Sequence, residues 1–134
     1  MNDSETDSPS IKALIVFREN GETDNLFVPI LCDAIRMAGI DVRCSTKEFW
    51  DSDKHYDIIH FQWPEEVVGW ACNDPDIIRR LEERISLFRS RGTRFVYTRH
   101  NVRPHYANGI ISRAYDIIES QSDIVVHMGR RSEE

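Results

Sequence analysis

The segment TRHNVRPH, residues 98–105, gathers His100, Asn101, Arg103 and His105, with Arg99 ahead of them. An imidazole titrates near neutrality, so His100 can donate to a sugar hydroxyl or a phosphate, or serve as an acid or base. Loops that concentrate His, Asn and Arg at one edge are unusual unless something polar is bound. The opposing reading has His100 capping the preceding strand through a backbone hydrogen bond, with Arg99 and Arg103 solvated. A second group is Gln62-Trp63-Pro64-Glu65-Glu66. A ring that packs on C–H faces beside carboxylates that accept hydroxyl protons suits a polyhydroxylated ligand. A Trp63 that merely packs the domain fits equally well. Gly21 stands alone in RENGETDN, which is neither a dinucleotide fingerprint nor a P-loop. It either lets backbone N–H groups approach a phosphate or supplies a turn. His60 and His127 fall inside strand-like runs and read as core or near-core residues.

These groups need a scaffold, and hydrophobic periodicity supplies one. KALIVF (12–17), DVRCS (41–45), DIIHFQW (57–63), RFVYT (94–98) and IVVHM (124–128) read as five strands, most of them short apolar runs of the kind buried on both faces. Between them lie helical stripes. One runs from Leu26 to Ala38 with Pro29 near its start and Gly39 as its C-cap. Another runs from the Asp74-Pro75 start to Gly92, and a third from Asn108 to Gln121. KEFWDSDKHY is too polar and irregular to assign. The alternation predicts a Rossmann-like three-layer α/β/α domain with a parallel sheet. The expected strand order is 3-2-1-4-5, which sets strands one and four side by side. Ligands of open α/β sheets bind where the winding reverses, outside the carboxyl ends of the strands. Function is therefore expected in the loops after Phe17 and Thr98.

The 134 residues suit one domain over 11–134, preceded by a polar lead-in over 1–10, MNDSETDSPS, that is expected to be disordered. No signal peptide and no transmembrane run is visible. A net charge of −6 argues against a nucleic-acid partner. The arginine-rich stretch from Arg79 to Arg94 is interleaved with Glu82 and Glu83 and reads as a solvated helix face. Cys32, Cys44 and Cys72 have neither metal nor redox spacing, which fits reduced thiols in a cytoplasm. No metal site and no cofactor is expected.

The order of these segments resembles the N-terminal domain of GT-B glycosyltransferases of the family-4 type, across about residues 12–130. NGETDNLFVPILCDAIRMAGIDVRCS is similar to their first loop, helix and second strand, with an "rxxGhxV"-like entry. YDIIHFQWPE is similar to a "DIVHxHWP"-like third strand, RGTRFVYTRHNVRPH to the "T.HN..PH" strand and loop, and SDIVVHMG to the next strand. The resemblance implies metal-independent transfer from a nucleotide-sugar donor to a glycan or lipid-linked acceptor, as in polysaccharide biosynthesis. His100 would be the catalytic histidine near the donor sugar. Gly21 and Arg103 would lie at the donor phosphates, and Trp63, Glu65, Glu66 and Asn101 at the acceptor. Contact with the inner face of a membrane would be at most peripheral. The C-terminal donor-binding domain and its carboxylate motif are absent from these residues. This half of a cleft should therefore be inactive alone and need a separate donor-binding domain. A stand-alone binding or interaction domain without catalysis is the alternative. A third reading, a flavodoxin-like or regulator-like domain, is disfavoured by the missing phosphate loop and acidic pocket.

Overall fold

A computed structural model describes residues 11–17, 27–69, 74–99 and 109–127. Five strands form one fully parallel sheet: β1 (Lys12–Val16), β2 (Asp41–Cys44), β3 (Ile58–Phe61), β4 (Arg94–Arg99) and β5 (Ile124–His127). The helices are α1 (Phe27–Met37), α2 (Thr46–Asp51), α3 (Pro64–Val68), α4 (Asp76–Ser90) and α5 (Gly109–Gln121). The three-layer parallel α/β architecture is as expected. The strand order is not. It is 2-1-3-4-5, so β1 pairs with β2 and β3, and β4 lies one strand further away.

The composition of β2 accounts for the correction. In the order 3-2-1-4-5 it would be an interior strand, and Asp41 and Arg43 would lose water. Edge strands tolerate such charges and benefit from them. In the structure β2 is an edge, and both residues are exposed. The apolar β1 and β3 take the centre.

The unassigned stretch after β2 makes this crossing possible. Ser45 accepts a hydrogen bond from the Glu48 backbone N–H at 3.0 Å and starts α2, half of the Ser-x-x-Glu capping pattern. Phe49 is wholly buried. Trp50 Nε1 donates to the Val67 carbonyl at 2.8 Å, and the Arg84 guanidinium donates to the Phe49 and Ser52 carbonyls. These bonds tie α2 to α3 and α4, on the face where Phe49 packs with Leu14 and Val16 of β1.

Right-handed crossovers then decide which face each helix covers. The one leftward step, β1 to β2, puts α1 on one face, where Val28 and Cys32 pack on Ala13, Ile15, Phe17 and Val42. The rightward steps put α2 to α5 on the other, over Leu14, Val16, Ile59, Phe61, Phe95 and Tyr97. The α1 stripe differs in phase from the expected one: Ile30 is 64% exposed and Ala34 is exposed, while Val28 and Cys32 are buried. Beyond the reach of α1, Ile124 and Val126 of β5 are also exposed.

Two aspartates stitch the strand entries by the same device. Asp57 donates its N–H to the Lys12 carbonyl and accepts the Lys12 N–H on its carboxylate, both at 2.8 Å. Asp123 does the same with Phe95, again at 2.8 Å. The backbone N–H of Lys12, followed by His55, holds the Asp57 carboxyl below its ordinary value. The backbone N–H of Phe95, followed by Arg89, does so for Asp123. The unfolded chain therefore takes up these protons at higher pH than the folded one. The stabilisation is complete above the ordinary aspartate range, about pH 4 to 5, and is lost as pH falls through the depressed folded values. Stability measured by denaturant titration between about pH 6 and pH 2 should fall less steeply in Asp57→Asn/Asp123→Asn than in the parent. Equal slopes would mean that neither carboxylate is coupled to folding.

Candidate functional site

In a sheet of order 2-1-3-4-5 the winding reverses between β1 and β3, so the crevice opens at their carboxyl ends. Phe17 and Trp63 stand there, one strand-end each, and their rings close on each other at 5.6 Å between centroids, tilted by 46°. Behind Trp63, Pro64 opens α3 at a position where its missing N–H costs nothing. Gly69, at φ 104°, ends the helix by donating its N–H to the Glu65 carbonyl.

The five residues of α3 are all buried. Glu65, 2% exposed, accepts the Tyr115 hydroxyl proton from α5 at 2.7 Å. Glu66 and Gln62 are buried too. Glu65 thus belongs to the joint between α3 and α5, Glu66 is buried on α3, and Trp63 packs against the α1-side cluster. Of the other proposed site residues, Gly21, His100, Asn101 and Arg103 lie outside the described residues, as does the 1–10 lead-in. The chain reaches the Gly21 segment from β1 and the His100 segment from β4, with β3 in between. The strands that precede the two segments, β1 and β4, are therefore not adjacent as the expected order had them.

His60 is half-buried, with Nε2 2.6 Å from Thr98 Oγ1 on the neighbouring strand. His127, expected near the core, is exposed because β5 is an edge strand. Arg99 pairs with Glu119 at 3.1 Å. Among the described residues no cluster of His, Cys, Asp or Glu could hold a metal ion.

A groove that sequence reasoning missed runs along the edge strand β2, from Asp41 to Cys44, and past the amino end of β1. It measures about 740 Å³, and Lys12, Arg36, Asp41, Arg43, Lys54 and His55 stand on its walls. Tyr56 lies at its base and donates its hydroxyl to Glu48 at 2.7 Å. Burial and that carboxylate push the Tyr56 phenol well above its ordinary value. These residues come from separate segments of the chain, and only the parallel pairing of β1 with β2 and β3 brings them together.

The strand order and helix placement define a flavodoxin-like α/β fold. No family model and no curated protein matches the chain. Among solved structures it is similar to a CheY-like response regulator from Mesorhizobium loti, at 13% identity and a TM-score of 0.52, over 92% of this chain and 90% of that one. Identity this low carries the fold alone. It nevertheless overturns the GT-B resemblance. The family-4 motifs are short strand-and-turn patterns, while the whole-chain likeness runs to a regulator-type domain. The nucleotide-sugar donor, the glycan acceptor, the separate donor-binding domain and a part in polysaccharide biosynthesis go with that reading. The regulator-like alternative, set aside on the missing acidic pocket, has the matching fold. No helix among the described residues is long and apolar enough to cross a membrane.

Proposed function

We propose that residues 11–134 form a non-catalytic binding domain that acts by presenting a surface to a protein partner. The observation that supports this reading is the Phe17–Trp63 contact, which sets two packed aromatic rings at the switch-point crevice where a small substrate would otherwise enter. The buried Glu65–Tyr115 bond behind it supports the same reading, since that carboxylate is committed to holding α3 against α5. The regulator-type fold of the structural neighbour is compatible with such a role. The partner contacts are assigned to the segments after β1 and β4, with Gly21, His100, Asn101 and Arg103. Cys32 and Cys44 are thiols outside any disulfide, one buried and one half-buried, consistent with a reducing cytoplasm.

The test is affinity capture with the intact chain and with His100→Ala/Arg103→Ala. A protein held by the parent should be weakened at least about tenfold by the double substitution, with the thermal melt unchanged. A partner retained equally by both would overturn the reading, as would turnover of a small substrate by the purified chain.

A further inference from the structure

The chain has 23 acidic and 17 basic residues, yet the groove along β2 and the amino end of β1 reverses that balance. Its walls carry the permanent cations Lys12, Arg36, Arg43 and Lys54, together with His55, against the carboxylate of Asp41. The neighbouring acids stand outside the walls and are engaged. Asp33 lies 3.5 Å from Arg36, with both side chains more than half exposed. Glu48 accepts the Tyr56 hydroxyl and stands 4.0 Å from Arg43. Asp57 binds the Lys12 backbone N–H and lies 3.1 Å from His55.

Two features make these cations available. The ammonium groups of Lys12 and Lys54 form no ion pair within 4.0 Å among the described residues. The Arg36–Asp33 pair is solvent-exposed and of the kind that contributes little and exchanges readily, and Arg43, itself half exposed, stands at the 4.0 Å limit from Glu48. Arg36 is also held in place by its own donation to the Val42 carbonyl at 3.4 Å. The result is a concave cationic surface whose members come from β1, α1, β2 and the segment before β3.

The geometry points to a binding site for a compact phosphate ester carrying two or more phosphoryl groups, held by Lys12, Arg36, Arg43 and Lys54. The cavity lies in the size range of small-molecule sites, about 300 to 1,000 Å³. Cations spread over several elements exceed what a single monoanion would use. Guanidinium forks match phosphate oxygens in pairs, and lysines add point charge. A long nucleic acid is disfavoured, because the rest of the chain, at net −6, repels a polyanion that extends past the groove. The groove shares no residue with the proposed protein-binding surface, so it stands or falls independently of that surface.

The proposal is tested by ¹⁵N NMR titration of the intact chain with pyrophosphate, and in parallel with a nucleoside diphosphate, at about 50 mM and about 300 mM salt. Saturable shifts are expected at residues 12, 41–44 and 54–56, with weaker binding at the higher salt. Lys12→Glu/Lys54→Glu should weaken binding at least about tenfold. Lys12→Arg/Lys54→Arg should keep it within about twofold, as should Arg113→Glu on the exposed side of α5. Should the double charge reversal disturb the fold, Lys54→Glu alone gives the same reading from an exposed position. Tighter binding of the nucleoside diphosphate than of pyrophosphate would place a nucleoside in the groove; equal binding would mean that phosphate alone is read. Shifts that fail to saturate, that map elsewhere, or that survive the charge reversals would overturn the site.

Discussion

Replacing Phe61 with alanine is expected to destabilise the protein by about 4 kcal/mol, the middle of the range for a large buried aromatic. Phe61 is the last residue of the central strand β3 and has no exposed surface. Its ring meets Phe49 edge-on at 5.5 Å and stacks on Phe95 at 5.8 Å. The substitution opens a void between α2 and the sheet, and neither partner can collapse into it. Phe49 is held by its own contacts with Trp50 and Phe88, and Phe95 is fixed in β4. In a domain of this size the loss corresponds to a fall in Tm of roughly 15 °C. Phe61→Leu refills much of the volume and should cost about half as much. A Tm change under about 5 °C for the alanine variant would mean that the α2 face of the core is far looser than the geometry indicates.

Removing the Tyr115 hydroxyl should cost about 2 kcal/mol, although Tyr115→Phe changes neither the size nor the packing of the ring. The hydroxyl donates to Glu65 at 2.7 Å, and both residues are buried. Without that donor a carboxylate loses a partner in a place where water cannot substitute for it. The joint between α3 and α5 loosens. This substitution also separates two roles for Glu65. If the carboxylate fastens α3, urea titration of Tyr115→Phe will show a lower midpoint at unchanged slope. Unchanged stability would free Glu65 for a ligand and would reopen the carboxyl end of β3 as a site.

The resemblance to glycosyltransferases failed for a physical reason. Strand-ending patterns such as DIIHFQWPE and FVYTRHN arise wherever a buried parallel strand must stop and give way to a loop. They report the element, not the chemistry at its end. Glu65 shows the difficulty in a single residue. Beside a tryptophan in sequence it looks like a sugar ligand, whereas in space it faces Tyr115, fifty positions away. The α2 helix was legible in principle, because Ser45 and Glu48 have capping-box spacing. The polar residues around it hid the signal.

Sequence alone determined the alternation of strands and helices, and hence a parallel sheet covered on both faces. Local hydrophobic period is enough for that, because a strand buried on two sides and an amphipathic helix each carry their own pattern. It also held, unread, the reason that β2 is an edge, in the charges of Asp41 and Arg43. Only the tertiary structure decided that β3 lies beside β1, which moved the crevice from β1 and β4 to the strand ends where Phe17 and Trp63 meet. The same pairing assembled the cationic groove from Lys12, Arg36, Arg43 and Lys54. No local pattern encodes either outcome, since both depend on which strand ends become neighbours, and pairing between strands distant in sequence is settled by the packing of the whole sheet.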